Sequence, residues 1–256
     1  MHIHERLREI MPDTAVMRNV EPHIYSFFPE HTVASYDRFG GIYDVVACNR
    51  IYNKLVWGYS LSEYQHLCAD ALQSSQDEWV LDAGCGSLAF TGKTYMQHQG
   101  RPVVLLDRSV RMLKLAKTRI IKLNGTVPET LLFVQGDIAH LPFRDKSICT
   151  IIALNVLHAV DDAKGMLGEL RRVMGEGGSI SLTTLVKNKR IADWYIDKLG
   201  ERECLMPRSF TQLLHVLENI ALPVQYLLKG NLAIVNHGRN LKYFQGIAPV
   251  QAADGS

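Results

Sequence analysis

Short apolar runs separated by stretches of helical spacing indicate an α/β fold that begins near Glu78. Each run ends at a polar or glycine-containing turn, as buried parallel strands do, and between the runs apolar residues recur every three or four positions, as in helices packed on a sheet. The strands predicted in this way are 79–81, 102–106, 131–134, 148–154 and 179–185, and the helices between them are 91–99, 109–123 and 163–174. Their alternation predicts a doubly wound, mostly parallel sheet.

The region after residue 208 predicts one more helix and a hairpin. Ser209 suits an N-cap before a helix over 210–220. Residues 224–228 and 232–236 alternate between apolar and polar positions around a Gly-Asn pair, whose turn chemistry favours a hairpin. The predicted sheet therefore has seven strands and ends in an antiparallel pair.

The first third of the chain predicts helices and no clear strand. Tyr, Phe and Trp are frequent there, and from Ile42 to Leu72 the apolar residues recur at helical spacing. We therefore expect an N-terminal helical cap or lid over 1–76, a ligand-binding α/β domain over 77–245 and a flexible tail over 246–256.

Composition and charge narrow the functional classes. The chain has 47% hydrophobic and 21% charged residues, as expected of a globular protein with a full core, and its five cysteines lack C-x-x-C spacing. Its formal net charge of +2 is spread without a basic block, so we expect a small-molecule substrate and no nucleic acid as partner. We also predict no metal site. No apolar run reaches the roughly 20 residues that cross a bilayer, and no signal peptide is evident. We expect a cytoplasmic monomer or homodimer without stable membrane insertion.

The candidate ligand site is the turn Gly84-Cys85-Gly86, which follows a predicted strand and precedes a helix. Glycines in this position let backbone N–H groups approach a ligand at the positive end of the helix. Extended to Ala89, the turn also fits a loose G-x-G-x-x-A dinucleotide fingerprint, so the glycines alone do not separate a nicotinamide cofactor from a methyl donor. A turn that binds no ligand is the third possibility.

Two carboxylates shift this balance toward S-adenosylmethionine. Asp82 ends the strand just before the glycines, where it would repel a pyrophosphate and attract the cationic amino group and sulfonium of the methyl donor. Asp107 follows the next strand at an offset of roughly 20 residues, where a carboxylate accepts hydrogen bonds from ribose hydroxyls. An N-cap on the following helix is an equally good interpretation of Asp107.

Five ordered motifs resemble those of the class I methyltransferases, in particular the small-molecule branch that includes the ubiquinone/menaquinone methylases. The motifs are V-L-D-A-G-C-G over 80–86, Asp107, G-D-I-A-H-L-P-F over 136–143, N-V-L-H over 155–158 and L-R-R-V-M-G-E-G-G over 170–178. The likeness covers about residues 36–236.

The resemblance implies a Rossmann-like methyltransferase fold that binds S-adenosylmethionine and releases S-adenosylhomocysteine. The residues expected to bind the donor are Tyr36, Asp82, Ala83, Gly84, Cys85, Gly86, Asp107, Arg108, Asp137, Ile138 and Asn155. By the same resemblance Asp107 binds the ribose hydroxyls, while the Asp137 side chain and the Ile138 backbone N–H hold the adenine edge.

The resemblance also assigns the methionine end of the donor. Gly84 and Gly86 would pack against it, Asp82 would reach its amino group through water, and Asn155 would lie near the methyl group. Family members usually have a third small residue where this chain has Leu88, so Leu88 must turn away from the donor or narrow its pocket. Replacing Asp82 by Asn should weaken donor binding and leave folding nearly intact.

Methyl transfer needs alignment more than acid–base chemistry, because the sulfonium is already activated. His158 follows the fourth strand at the ligand end of the sheet and is the candidate general base, although a buttress for the next helix is the favoured interpretation.

The segment 36–44 resembles one that closes over the donor, so Tyr36 and Tyr43 would line the active site. Trp57, Tyr59 and Tyr64 suit an aromatic wall for a planar acceptor, or more simply the core; residues 187–208 and the cap would supply most of the acceptor pocket.

The leading hypothesis is an enzyme that moves a methyl group from S-adenosylmethionine to a small metabolite. A non-catalytic relative that binds a ligand or a protein partner is the main alternative. A nicotinamide-dependent oxidoreductase is a weaker one, because it explains neither Asp82 nor Asp137. The fourth-strand position holds N-V-L-H rather than the Asn/Asp-Pro-Pro-aromatic motif of amino-directed nucleic-acid methyltransferases.

Overall fold

The computed structural model describes residues 3–29, 53–74, 78–188, 191–201, 205–218, 222–238 and 244–245. The strands in this part of the chain are β1 (Arg18–Glu21), β2 (Ile24–Ser26), β3 (Val80–Ala83), β4 (Val103–Asp107), β5 (Leu131–Gln135), β6 (Ile148–Leu154), β7 (Met174–Leu185), β8 (Val224–Lys229) and β9 (Leu232–His237). The α-helices are α1 (Ile3–Ile10), α2 (Ser62–Ser74), α3 (Gly92–Gln97), α4 (Val110–Asn124), α5 (Ala163–Val173), α6 (Ile191–Glu201) and α7 (Phe210–Glu218). A π-helical turn spans Asn53–Trp57, and a 3-10 turn spans Leu157–Ala159.

The described strands form one sheet in the order β1-β2-β5-β4-β3-β6-β7-β9-β8. Strands β2 to β7 pair in parallel, and β9 runs antiparallel to both β7 and β8. The strand order reverses at β3, whose neighbours are β4 on one side and β6 on the other. In open α/β sheets ligands bind at such a reversal, outside the carboxyl ends of the strands. The predicted fold class is therefore confirmed, and the sheet places the candidate site beyond the end of β3.

The predicted count of seven strands is wrong, because a hairpin in the first third of the chain adds two more. Strand β2 pairs in parallel with β5, with Ser26 opposite Gln135, and β1 pairs antiparallel with β2. Neither strand has a run of apolar residues long enough to be recognised, since β2 has three residues and β1 is polar. Residues 18–26 thus belong to the sheet; the domain boundaries at 77 and 246 stay predictions.

The remaining elements follow the predicted pattern closely. The predicted helices over 91–99, 109–123, 163–174 and 210–220 correspond to α3, α4, α5 and α7. Ser209 caps α7 as expected: its hydroxyl accepts from Gln212 N at 3.2 Å, and Gln212 Oε1 accepts from Ser209 N at 2.7 Å. Helix α6 was not predicted. In the described part of the chain no helix is long and apolar enough to cross a bilayer.

Apolar side chains on both faces of the sheet form two core layers. Because successive side chains of a strand point to opposite faces, Leu81 and Ala83 of β3 contribute to the layer beneath α5 and α7, whereas Val80 belongs to the layer beneath α2, α3 and α4. Asp82 points to the same side as Val80. A carboxyl group therefore lies within an otherwise apolar layer.

Candidate active site

The two glycines of the turn after β3 have different structural roles. Both have positive φ angles, +84° at Gly84 and +56° at Gly86, which favour glycine over other residues. A Cβ atom at Gly84 would lie 2.5 Å from Cγ2 of Val156, whereas a Cβ atom at Gly86 would meet no atom within 4 Å. Gly84 thus allows close packing against the loop after β6, and Gly86 presents its backbone to open space. Of the two, Gly86 is the one that leaves room for a ligand.

Hydrogen bonds hold this turn against the end of β4. The backbone N–H groups of Gly84 and Cys85 both donate to Leu106 O, at 2.7 and 2.9 Å. On the outer side, Arg119 of α4 donates through Nη1 to Ser87 O and, at 3.1 Å, to Ser87 Oγ. The turn is therefore fixed from two sides, as a preorganised binding loop requires.

Leu88 turns away from the candidate site. Its side chain is buried in the core layer beneath α2, α3 and α4, so of the two outcomes expected from the sequence the structure has the first. Its φ of +55° is a left-handed conformation that costs a residue with a Cβ about 1–2 kcal/mol. Burial of the leucine side chain stabilises the fold by about 2 kcal/mol and so offsets this strain.

Asp82 is buried, and its carboxylate Oδ2 accepts a hydrogen bond from the Tyr95 hydroxyl at 2.7 Å. Burial raises the pKa of Asp82 to about 7; the Tyr95 hydrogen bond opposes this shift and the nearby Asp107 charge adds to it. Because Asp82 lies within the core, its replacement by Asn is expected to change stability as well as donor binding, in contrast to the nearly intact folding expected from the sequence. A cation bound next to Asp82 would favour its ionised form.

Asp107 bridges the glycine turn and the start of α4. Its Oδ2 accepts from Gly86 N and its Oδ1 accepts from Ser109 N, both at 2.8 Å. The N-cap of α4 is Ser109, whose hydroxyl accepts from Met112 N at 3.1 Å. The interpretation of Asp107 as the N-cap residue is thus wrong, and its carboxylate lies directly beside the glycine turn.

Asp137 and Ile138 follow β5 at the same edge of the sheet. Asp137 Oδ1 accepts from Ala139 N at 3.0 Å, and its Oδ2 lies 3.7 Å from Nδ1 of the exposed His140. The side chain of Ile138 is buried in the core. Their roles at the adenine edge stay predictions, but the structure brings Asp82, Asp107 and Asp137 to the carboxyl ends of the adjacent strands β3, β4 and β5.

An arginine that sequence analysis did not single out holds the loop after Asp137. Arg172 donates to the backbone carbonyls of Leu141 and Phe143, at 2.8 and 2.7 Å, and pairs with Glu169 through Nε and Nη2. Glu169 in turn accepts from Leu141 N at 2.7 Å, and the Arg172 guanidinium holds the pKa of the Glu169 carboxyl below its usual value. The Glu-x-x-Arg spacing on α5 was the available signal.

The backbone of Asn155 is held by β7, and the side chain of Ala83 faces away from the candidate site. Asn155 has a φ of +60°, and its N–H donates to the carbonyl and hydroxyl oxygens of Thr183 on β7. Ala83 faces the opposite core layer, so its side chain does not enter the site. The side chain of Cys85 is partly buried and lies 3.6 Å from Gly86 O, while Arg108 is exposed at the end of β4.

His158 is buried and linked to the end of β7. Its Nδ1 accepts from Leu185 N at 3.1 Å, and its carbonyl oxygen accepts from Met206 N at 2.7 Å. Burial and, to a smaller extent, the Arg208 charge together lower the pKa of His158 to about 4. The neutral ring therefore carries its proton on Nε2, and the lone pair of Nδ1 is already engaged. This geometry favours the buttress interpretation, and a catalytic role for His158 stays a prediction.

The predicted aromatic wall is part of the core. Trp57, Tyr59 and Tyr64 are all buried, and Tyr64 donates to Tyr59 and stacks on Phe90 with ring centroids 5.0 Å apart. The favoured interpretation of these residues as core is confirmed. Tyr36 and Tyr43, with the whole segment 36–44, lie outside the described residues.

The strand order of the parallel sheet reverses at β3, and the glycine turn lies at that reversal. Carboxylates stand at the ends of three adjacent strands. This arrangement is that of the Rossmann-like fold of class I methyltransferases. Residues 81–182 match the family model described as Methyltransferase domain. Residues 81–182 therefore carry a methyltransferase domain, as the motifs in the sequence had indicated.

Curated relatives agree with this assignment. The chain is 36% identical over 107 residues to a malonyl-[acyl-carrier protein] O-methyltransferase of Hamiltonella defensa, a match over 42% of this chain and 38% of that protein. It is 28% identical to a demethylmenaquinone methyltransferase of Renibacterium salmoninarum, over 59% of this chain and 57% of the relative. The chain thus spans well under two thirds of the length of these relatives.

Solved structures show the same fold. A geranyl diphosphate methyltransferase in complex with SAM superposes with a TM-score of 0.57 at 16% sequence identity, over 75% of this chain and 85% of that chain. At this identity the similarity concerns the fold alone. The predicted sheet architecture is thereby matched by an independent protein.

Proposed function

We propose that the chain binds S-adenosylmethionine at the carboxyl ends of β3, β4 and β5 and transfers its methyl group to a small-molecule acceptor, leaving S-adenosylhomocysteine. The observation that carries the proposal is the buried carboxyl group of Asp82 close to the charge of Asp107, which accepts a hydrogen bond from Gly86 beside open space. A buried carboxyl group without a cation is costly to ionise, so the site suits a ligand that brings a positive charge.

The chemistry of the residues present supports S-adenosylmethionine as this ligand. Asp82 would hold the amino group of the methionine part, and Gly86 leaves space for the chain that connects it to the ribose. Asp107, which already accepts two hydrogen bonds at this edge, would receive the ribose hydroxyls, and Asp137 would receive the adenine edge. A pyrophosphate would instead face carboxylates at three strand ends, which disfavours a nicotinamide dinucleotide.

The protein's contribution to the reaction is binding and alignment. The donor supplies an activated methyl group, and no general base is needed unless the acceptor must lose a proton early. His158 is poorly suited to act as that base, since the lone pair of Nδ1 accepts from Leu185 N. We therefore assign rate acceleration to the preorganised donor loop, which would align the methyl group with the acceptor.

The acceptor is proposed to be a small molecule. The named substrates of the relatives differ, from a malonyl group on a carrier protein to demethylmenaquinone, so they support a small-molecule class rather than one compound. The net charge of +2 without a basic block supports the same class over nucleic acid. An open groove of about 580 Å³ borders the His158 turn, and Met206 and Arg208 are among its lining residues. Met206 and Arg208 belong to the segment 187–208 expected to supply the acceptor pocket, so the groove supports an acceptor site there.

Calorimetric titration tests donor binding directly. We expect S-adenosylhomocysteine to bind with measurable heat and to raise the melting temperature of the protein, and NAD(H) to do neither. Binding of NAD(H) without binding of S-adenosylhomocysteine would overturn the proposal. Transfer of a labelled methyl group from S-adenosylmethionine to a panel of quinones, acyl thioesters and phenols would then define the acceptor, and donor binding without turnover on any acceptor would favour a non-catalytic relative.

A further inference from the structure

A chain of hydrogen bonds joins the unexpected edge hairpin to the end of β4. The N–H of Phe28 donates to Ser26 Oγ at 3.0 Å, and the Ser26 hydroxyl donates to Gln135 Oε1 at 2.7 Å. Gln135 Nε2 donates in turn to the carbonyl oxygen of Arg108 at 3.1 Å. Ser26 and Gln135 are both buried, so each of these polar groups depends on its partner within the protein.

This hydrogen-bond chain lies at the carboxyl edge of the sheet. Ser26, Gln135 and Asp107 are the last residues of β2, β5 and β4, and they stand opposite one another in the strand register. Phe27 N also donates to Gln135 O at 3.0 Å, and Gly136 N donates to Asp107 O at 3.1 Å. Gln135 and Gly136 therefore hold the two carbonyl oxygens, of Arg108 and Asp107, that follow the Asp107 side chain along the backbone.

The position of the Asp107 carboxylate depends on the backbone that follows it. Its two oxygens accept from Gly86 N and Ser109 N only if residues 107–109 keep their present path. The Arg108 carbonyl between them is held by Gln135, and Gln135 is itself oriented by Ser26. A side-chain amide held at both ends has one orientation, because its carbonyl accepts and its NH₂ group donates.

We propose that Gln135 is a positioning residue of the donor site, oriented by Ser26 from the edge hairpin, and that the pair fixes the Asp107–Arg108 backbone for the adenosine half of the methyl donor. This inference rests on the proposed function. It gives the hairpin β1–β2 a role beyond extending the sheet, since the hairpin supplies the hydroxyl that orients Gln135.

The alternative is that Ser26 and Gln135 only attach the hairpin to the sheet. The two roles differ in what a variant loses. Loss of attachment lowers stability without changing the affinity of the folded protein for adenosine-containing ligands. Loss of positioning weakens adenosine and S-adenosylhomocysteine by the same factor, because both contain the half of the ligand that Asp107 contacts.

Three variants and one control separate these roles. Gln135→Met keeps the length of the side chain and removes both hydrogen bonds, Ser26→Ala removes the orienting hydroxyl, and Ser26→Thr restores it. The control is Ser181→Ala on β7, because Ser181 is also a buried serine and also donates to an amide oxygen, Asn236 Oδ1 at 3.2 Å, away from the donor site. Dissociation constants for S-adenosylhomocysteine and adenosine are measured well below each melting temperature.

We expect Gln135→Met to weaken the binding of both ligands about tenfold and Ser26→Ala to weaken it about threefold or more. Ser26→Thr and Ser181→Ala should bind both ligands as the wild type does. The inference is overturned if Ser26→Ala and Gln135→Met lose melting temperature as Ser181→Ala does but bind both ligands with wild-type affinity. If Gln135→Met does not fold, the comparison of Ser26→Ala with Ser26→Thr decides between the two roles. Failure of the wild-type chain to bind S-adenosylhomocysteine is a separate result, which would refute the proposed function itself and with it this role.

Discussion

Replacement of Asp82 by Asn should stabilise the donor-free protein at neutral and alkaline pH while it weakens donor binding. Asp82 is buried, and burial raises its pKa to about 7. At pH 8 the wild-type protein therefore holds an ionised carboxylate in a core layer, next to the charge of Asp107. Asparagine keeps the shape of the side chain and can still accept from the Tyr95 hydroxyl, but it never ionises.

The size of the effect follows from the difference between the two pKa values. An ordinary aspartate ionises at 3.8 and this one at about 7, a difference of about three pH units that corresponds to about 4 kcal/mol. Because the folded pKa is the higher one, stability from this group is present below pH 3.8 and is lost progressively as the pH rises to about 7. The free energy of unfolding of Asp82→Asn should thus match that of the wild type near pH 4 and exceed it by up to about 4 kcal/mol at pH 8.

Urea denaturation of both proteins without ligand, at pH 5, 6, 7 and 8, measures this difference. Titration with S-adenosylhomocysteine at the same pH values measures how the affinity of each protein for this ligand depends on pH. If the ligand's amino group requires ionised Asp82, wild-type affinity should fall by up to about tenfold per pH unit below pH 7. Asp82→Asn should bind more weakly and without this dependence.

Two results would refute the reasoning. A stability difference between Asp82→Asn and the wild type that stays constant from pH 5 to pH 8 would show that Asp82 does not titrate in this range. Wild-type affinity for the ligand in the variant would show that Asp82 does not hold the amino group. Tyr95→Phe is the matched control: it removes the hydrogen bond that favours the ionised form, so it should raise the pKa of Asp82 further and extend the loss of stability to higher pH.

Three further predictions concern neighbouring residues. Gly84→Ala should destabilise the protein by about 1–3 kcal/mol in urea denaturation, because its Cβ would collide with Val156. Gly86→Ala should destabilise it by about 1 kcal/mol and mainly weaken the binding of S-adenosylhomocysteine, measured by calorimetry. Equal losses of stability in the two variants would contradict their different roles. Leu88→Gly relieves the left-handed backbone but empties a core position, so we expect a net destabilisation of about 2 kcal/mol with unchanged donor affinity; a stabilised variant would contradict this. His158→Gln should lower the melting temperature and change the pH profile of methyl transfer little, since Nδ1 is engaged; loss of a limb of that profile would restore His158 as a base.

The elements with strong local signals could be predicted from the sequence. Apolar runs such as 148–154 and helices with a cap such as Ser209 contain their evidence within a few residues. Strands β1 and β2 do not, because a three-residue strand forms only where β5 offers its edge. Helix α6 was missed for a similar reason: it packs on the π-helical turn from a distant part of the chain and follows no recognised motif.

The candidate site shows the same division. The positions of Asp82, Asp107 and Asp137 follow from strand ends, which the sequence pattern locates. The side chains that hold the site come from other elements. Tyr95 of α3 donates a hydrogen bond to Asp82, and Arg119 of α4 donates to the glycine turn. Such contacts depend on how the elements pack, and no spacing in the sequence records that.

Stability and donor binding oppose each other at the end of β3. Asp82 and Asp107 each raise the energy of the other's charge, and burial adds to this at Asp82. Backbone N–H groups from Gly86 and Ser109 compensate Asp107, but Asp82 has only the Tyr95 hydroxyl among its described hydrogen bonds. A cationic ligand would supply the compensating positive charge that the protein does not provide for Asp82. Donor binding should consequently stabilise this fold more at pH 8 than at pH 5, because the ligand removes a repulsion that exists only when Asp82 is ionised.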